Sequence, residues 1–168
     1  NMITKKPVSK GLVIGIVAVV ILVIAGIGFF LAANRYDIGS TMTGNDGMTL
    51  LYVPAGEFTM GSSDLSDAQP HIVNLDAFWI DQTEVTNALY AKCVEANQCN
   101  PHLTNGSNTH PNYFGNAEFD NYPVIYVDWN MAKTYCEWTG RRLPTEAEWE
   151  KAARGTDQRT WPWGNEPS

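Results

Sequence analysis

Three cysteines, two nearby histidines and a run of glutamates are the residues of this sequence whose types and spacing could do chemistry. Cys93 and Cys99 bracket the end of a predicted helix, which reads as a local disulfide. The alternative joins them to His102 and His110 as a metal site, but C-x5-C-x2-H-x7-H fits none of the usual zinc spacings. Cys136 makes the count odd, so one thiol stays free or pairs elsewhere. Glu146, Glu148 and Glu150 have the look of acid–base candidates. All three lie near the start of a predicted helix, where carboxylates ordinarily cap backbone N–H groups and face solvent. Asp64 and Asp67 lie in a polar loop, where isolated aspartates make turns, and His71 reads as an edge residue before a strand. No catalytic, cofactor or metal residue is assigned among these groups.

The elements that must position these groups follow from local signals. Thr145 is an N-cap with Glu148 three residues on, a capping box, and Gly155 supplies the residue that ends the helix. Glu150 and Arg154 are four apart on it, and Trp149, Ala152 and Ala153 share a face expected to lie over the core. Thr86 caps a helix running to about Ala96, with Leu89, Tyr90, Cys93 and Val94 as its buried stripe. Asp128 caps another from Trp129 to Thr139, closed by Gly140, with Ala132, Tyr135 and Cys136 on one face. Thr49–Val53 and Glu57–Met60 read as a hairpin around Pro54-Ala55-Gly56, His71–Ile80 as one strand, and Pro123–Val127 as a short apolar strand. Asn100 to Tyr122 is a long irregular loop of the kind that often carries function. Short strands, three short helices and much loop give an irregular α+β domain with little regular secondary structure.

Part of the chain reads differently. Gly11 to Ala33 is an uncharged run of 23 residues. At ~1.5 Å per residue it would make a helix long enough to cross a bilayer, and it is too long for the apolar core of a signal peptide. Lys5, Lys6 and Lys10 precede it, whereas Arg35 follows with Asp37 beside it. Positive charge stays inside, so residues 1–10 read as a cytoplasmic flank, 11–33 as a single transmembrane helix, 34–46 as a polar linker, and the remainder as an extracytoplasmic domain with structure resuming at Met48. All 18 acidic and eight of the 11 basic residues follow the span, a net charge of −10 that argues against nucleic acid as a partner. The compartment permits disulfides. Asn1 precedes Met2 and the chain stops on Trp161-Pro162-Trp163-Gly164-Asn165-Glu166-Pro167-Ser168, so the sequence reads as a fragment.

Arg142-Leu143-Pro144-Thr145-Glu146-Ala147-Glu148-Trp149-Glu150 closely resembles the hallmark of the formylglycine-generating enzyme, or sulfatase-modifying factor, family. Val53-Pro54-Ala55-Gly56-Glu57-Phe58-Thr59-Met60-Gly61, Phe78 to Asn87, Pro123 to Trp138 and Trp161-Pro162-Trp163-Gly164 resemble its other motifs in the same order. The resemblance identifies residues 47–168 as the N-terminal portion of such a domain, with a fold related to C-type lectin-like domains. It implies oxidation of a sulfatase cysteine to Cα-formylglycine with molecular oxygen and a copper ion held by two cysteines. Those cysteines and the calcium ligands of the family belong to the second half of the domain, so none is carried onto this sequence. Cys136 falls where the family has a structural half-cystine, its partner in that second half. Two functions compete. One is a membrane-tethered oxidase, or a related iron oxygenase, acting on a sulfatase polypeptide. The other is a non-catalytic lectin-like sensor of an extracytoplasmic ligand, with a protein kinase domain upstream in the cytoplasm.

Overall fold

The fold is built on one long antiparallel ribbon with a kink in it. The computed structural model describes residues 36–64, 66–101 and 104–166. One arm of the ribbon is β2 (Thr49–Val53) followed by β3 (Gly56–Met60), and the other is β4 (His71–Leu75) followed by β5 (Phe78–Asp81). β2 pairs with β5 and β3 with β4, and the register runs unbroken across the gap: Val53 opposes Phe78, and three residues on in each arm Gly56 opposes Leu75. The kink falls at Pro54-Ala55 opposite Asp76-Ala77. Pro54 has no N–H to donate to a ladder, so pairing lapses there and the ribbon divides into two sheets. β1 (Thr41–Thr43) adds to the free edge of β2, giving a three-stranded sheet in the order β1-β2-β5 beside the two-stranded β3-β4.

Several expectations are corrected by this arrangement. Pro54-Ala55-Gly56 is not a hairpin turn: β2 is paired on both edges, and β3 takes β4 instead. The connection that reverses the ribbon is 61–70. The expected strand His71–Ile80 is two strands, interrupted at the kink. The stretch 34–46 is not all linker. Gly44 and Gly47 close a hairpin turn between β1 and β2, with Gly44 N donating to Met48 O at 2.8 Å. Pro123–Val127 forms no strand beyond a single bridge from Pro123 to Thr86, because Tyr126 turns to a φ of 56°. The apolar run 11–33 lies outside the described residues, and among those described no helix is long and apolar enough to cross a membrane.

The helices follow their local signals. α1 (Asn87–Glu95), α2 (Trp129–Trp138) and α3 (Glu146–Arg154) are capped by the side chains of Thr86, Asp128 and Thr145 respectively. The first N–H groups of α1 have a further use: Asn87 N donates to Tyr122 O and Ala88 N to Asp120 O, so the long loop is tied down by donors that a helix start leaves spare. Asn87 Nδ2 adds a bond to Phe119 O at 2.8 Å, and the rings of Tyr113, Phe119 and Tyr122 pack together beneath the loop. The main core lies between α1 and α2, where Tyr90 stacks on Tyr135 at 5.8 Å and Met131, Cys93 and Cys99 close around them. Cys93 is joined to Cys99, their Cα atoms 5.2 Å apart, pinning the exit of α1.

A link closing so short a loop is worth about 2 kcal/mol by chain entropy. Non-reducing peptide mapping should recover Cys93 and Cys99 in one linked peptide, and Cys93→Ala/Cys99→Ala should lower unfolding stability by about that amount or somewhat more, given the cavity left at Cys93. Two free thiols in the map would reject the pairing.

Candidate functional site

The stretch from Arg141 to Arg154 is tied to distant parts of the fold through Arg141, Glu150, Lys151 and Arg154, while Arg142 and Glu146 are exposed. Arg141 reaches across to the β1–β2 turn, where Nη1 and Nη2 donate to the two oxygens of the fully buried Asp46 carboxylate at 3.0 and 2.6 Å. The same carboxylate accepts from Tyr135 Oη at 2.5 Å and from Met48 N at 3.1 Å, and Arg141 Nε lies 3.4 Å from Asp81 Oδ1. Burial alone would raise the Asp46 pKa, but the bonds from Arg141 and Tyr135 outweigh it and hold the group well below the carboxylate range. Burial and the bond to Asp46 drive the Tyr135 phenol far above its ordinary value. Gly44 leaves room for this pair, since a Cβ there would stand 2.4 Å from Arg141 Nη1 and 2.9 Å from Asp46 Oδ1 and would push the pair aside.

One residue on, Arg142 makes a two-pronged pair with Glu148, which also accepts from Thr145 N at 2.8 Å and so completes the capping box. Arg142, against a smaller opposing effect of burial, brings the Glu148 pKa down to about 2. Glu148 is 8% exposed and Lys151 3%, whereas Trp149 is 63% exposed. The expectation that Trp149 lies over the core is therefore overturned, while Ala152 and Ala153 are half-buried; Glu148 and Lys151 take the inside, where they meet Thr145 N and the carbonyls of Pro54 and Gly56. Lys151 Nζ donates to Pro54 O and Gly56 O at 2.9 and 2.8 Å, two backbone carbonyls at the ribbon kink. Burial pulls its pKa down. Glu150 accepts from Gly61 N and pairs with Arg154, which donates to Gly61 O, so α3 also holds the tip of β3. Glu146 stays in solvent.

Leu143, Pro144 and Trp149 line a cleft of about 620 Å³ together with Phe78, Ile80 and Asp81 of β5 and with Cys136. Cys136 is half-buried, and burial, aided by nearby Asp81, pushes its thiol pKa up, so at neutral pH it is a protonated thiol and a poor nucleophile. The alternative metal site is not assembled: Cys93 and Cys99 bond each other, His102 lies outside the described residues, and His110 packs on Phe119 at 4.7 Å. Asp64 and Asp67 are exposed, and His71 is exposed with Nδ1 against Gln69 O. Sequence reasoning missed Asp46 and Lys151. The Asp46-Gly47 pair between two short Thr-containing segments is a hairpin signal that could have placed the first.

A short-stranded α+β scaffold, held together by buried ion pairs around an Arg-Arg-Leu-Pro-Thr-Glu stretch, defines the class. The chain belongs to the family of the sulfatase-modifying factor enzyme 1-like domain, which matches residues 38–168. It is 34% identical over 155 residues to the formylglycine-generating enzyme of Mus musculus, covering 67% of this chain and 42% of that protein. With that of Thermomonospora curvata it shares 34% over 160 residues, 70% of this chain and 52% of the relative. The chain thus spans about half the length of these curated relatives or less. Among solved structures, PvdO from Pseudomonas aeruginosa superposes with a TM-score of 0.55 at 25% identity, over 73% of this chain and 54% of that one. Treponema denticola variable protein 1 gives 0.54 at 26%, over 73% and 59%.

Two tests probe the charges of this region. Asp46→Asn strips the charge partner from Arg141 inside the fold, and should reduce unfolding stability by about 3–5 kcal/mol in denaturant titrations at neutral pH. A loss below about 1 kcal/mol would show that the pair is not integral to the fold. Glu148 has a folded pKa of about 2 against an ordinary 4.5. Its contribution is complete above 4.5 and disappears as pH falls from there to about 2. Glu148→Gln should therefore flatten the acid limb of the stability profile in that window, by less than the full shift implies because Arg142 is exposed and screened. An unchanged acid limb would contradict the assignment.

Proposed function

We propose that this chain is the N-terminal part of a membrane-tethered, extracytoplasmic formylglycine-generating domain, which in the full protein oxidises a sulfatase cysteine to Cα-formylglycine. The observation that supports this is the family match over residues 38–168 together with the identity to proteins named formylglycine-generating enzymes. Within that reading the Arg141–Arg154 stretch is scaffold, setting the wall of the cleft, and the sulfatase polypeptide is the partner. The lysine-flanked apolar run 11–33 is the anchor.

The residues described here do not fit the copper of the family. Soft thiolates suit that metal, but Cys93 and Cys99 are spent on each other and Cys136 stands alone as a raised-pKa thiol. Nor do the described residues bring together three or more His, Cys, Asp or Glu side chains placed to hold a metal. The reading assigns copper, calcium and the reacting thiols to the second half of the domain.

The second reading is a lectin-like binding module of a membrane receptor, and one specific observation supports its non-catalytic part. The chain is 61% identical over 44 residues to inactive C-alpha-formylglycine-generating enzyme 2 of Mus musculus and 58% over 45 residues to that of Bos taurus, 26% of this chain in each case.

Incubation with copper, oxygen and a sulfatase-derived cysteine peptide, followed by mass spectrometry, separates the two. The full-length protein should convert the peptide thiol to an aldehyde, while the 168-residue chain should leave the peptide mass unchanged. No conversion by the full-length protein would reject the oxidase in favour of the binding module. Aldehyde formed by the 168-residue chain would place the chemistry on Cys93, Cys99 or Cys136.

A further inference from the structure

We propose that Asn105-Gly106, in the long loop between α1 and α2, is a self-modifying site: Asn105 loses its side-chain amide to attack by the Gly106 backbone nitrogen, and the isoaspartate that results loosens the loop. This is the one Asn-Gly step in the sequence, and Asn105 is exposed. Among the described residues nothing hydrogen-bonds to its side-chain amide. The nucleophile is equally unhindered. Gly106 has no Cβ to shield its nitrogen, and that N–H makes a long bond, 3.4 Å, to Thr104 Oγ1. Packing holds glycine in this place, since a Cβ would stand 3.0 Å from Pro111 O. Asn108, exposed in the same loop, is the contrast. Its Oδ1 accepts from Tyr126 Oη at 2.9 Å, and the branched Thr109 follows it.

The reaction needs water and no other reagent. The Gly106 N–H gives its proton to solvent, the nitrogen bonds to Asn105 Cγ, and the Cγ–Nδ2 bond breaks to release ammonia. Water then opens the cyclic imide. Attack at Cγ leaves aspartate. Attack at the backbone carbonyl carbon leaves isoaspartate, with the chain rerouted through Cβ and Cγ and longer by a methylene. Nothing is oxidised or reduced. The second product matters because of what the old carbonyl does. Asn105 O accepts from Tyr113 N at 2.9 Å and from Phe114 N at 3.1 Å, closing the loop on itself. Tyr113 is buried, stacks on Phe119 and donates from Oη to Pro123 O, while Phe114 packs against the main core. In isoaspartate that oxygen belongs to a pendant carboxylate, displaced from the chain that positioned it.

The test incubates the purified 168-residue chain at mildly alkaline pH in heavy-oxygen water, with peptide mapping that separates asparagine, aspartate and isoaspartate. Asn105 should convert well before Asn108 and carry the isotope. Amide hydrogen exchange at Tyr113 and Phe114 should then run roughly tenfold faster in the isoaspartate form, the net worth of one backbone bond. Freshly prepared Asn105→Asp adds the charge without the methylene and should exchange like the parent. Asn105 left intact over the time in which a synthetic peptide of residues 101–114 converts would overturn the site. Isoaspartate without faster exchange would overturn the loosening. Exchange in Asn105→Asp as fast as in the isoaspartate form would overturn the rerouted chain as its cause.

Discussion

A buried carboxylate with no access to water has to be met by groups that can replace its hydration, and Asp46 is met by Arg141 and Tyr135. The penalty for taking both charges out of water is several kcal/mol each, offset only when the geometry is good and every lone pair is used. Here the guanidinium lies two-pronged along the carboxylate, the phenol and Met48 N fill the remaining positions, and Lys92 Nζ takes the neighbouring backbone carbonyl of Asp46. Three parts of the fold meet at this point: the β1–β2 turn, the exit of α2 and the start of the Arg-Arg-Leu-Pro stretch. The first edge of the sheet and the position of α3 are therefore set by the same interaction. The tyrosine that closes the network also stacks on Tyr90, so the polar cluster and the main core share a residue.

Next in the chain come charges doing a different kind of work. Lys151 does not neutralise a carboxylate. It supplies donors to two backbone carbonyls beside Pro54, where the ribbon is kinked. Glu150 and Arg154 treat both backbone groups of Gly61 in the same way at the ribbon tip. A helix whose inward face is charged is unusual only until its partner is seen to be irregular backbone rather than side chains. Trp149 is thereby turned outward, onto the cleft it shares with Leu143 and Pro144.

How much of this was legible in the sequence depended on distance along the chain. The helices were readable because their signals are local: Thr86, Asp128 and Thr145 cap their starts, and Gly140 and Gly155 take the positive φ that their ends require. The ribbon was half readable. The strands stood out as apolar runs, but Pro54-Ala55-Gly56 has the composition of a turn, and only the partner strand shows that it is a kink. The burial of Asp46 was not readable, since a polar stretch of Gly, Asn and Asp carries no sign of an arginine far downstream. The inward turn of Lys151 was hidden for a related reason, its partners being backbone carbonyls with no side-chain signature.

Those separations have a consequence for how the protein is made. Asp46 waits 95 residues for Arg141, and the kink carbonyl of Pro54 waits 97 for Lys151. On a ribosome adding about 5–20 residues per second, the nascent ribbon spends roughly 5–20 seconds with its turn carboxylate unmatched and its kink unsealed. Through that interval β1 and β2 have each other, the incoming β5 and the Lys92 bond from α1 to hold them, and so small a sheet without the rest of its covering helices is marginal in water. Locking of the ribbon is thus late relative to its own synthesis, since it waits for α3 to emerge and hold chain that was laid down first.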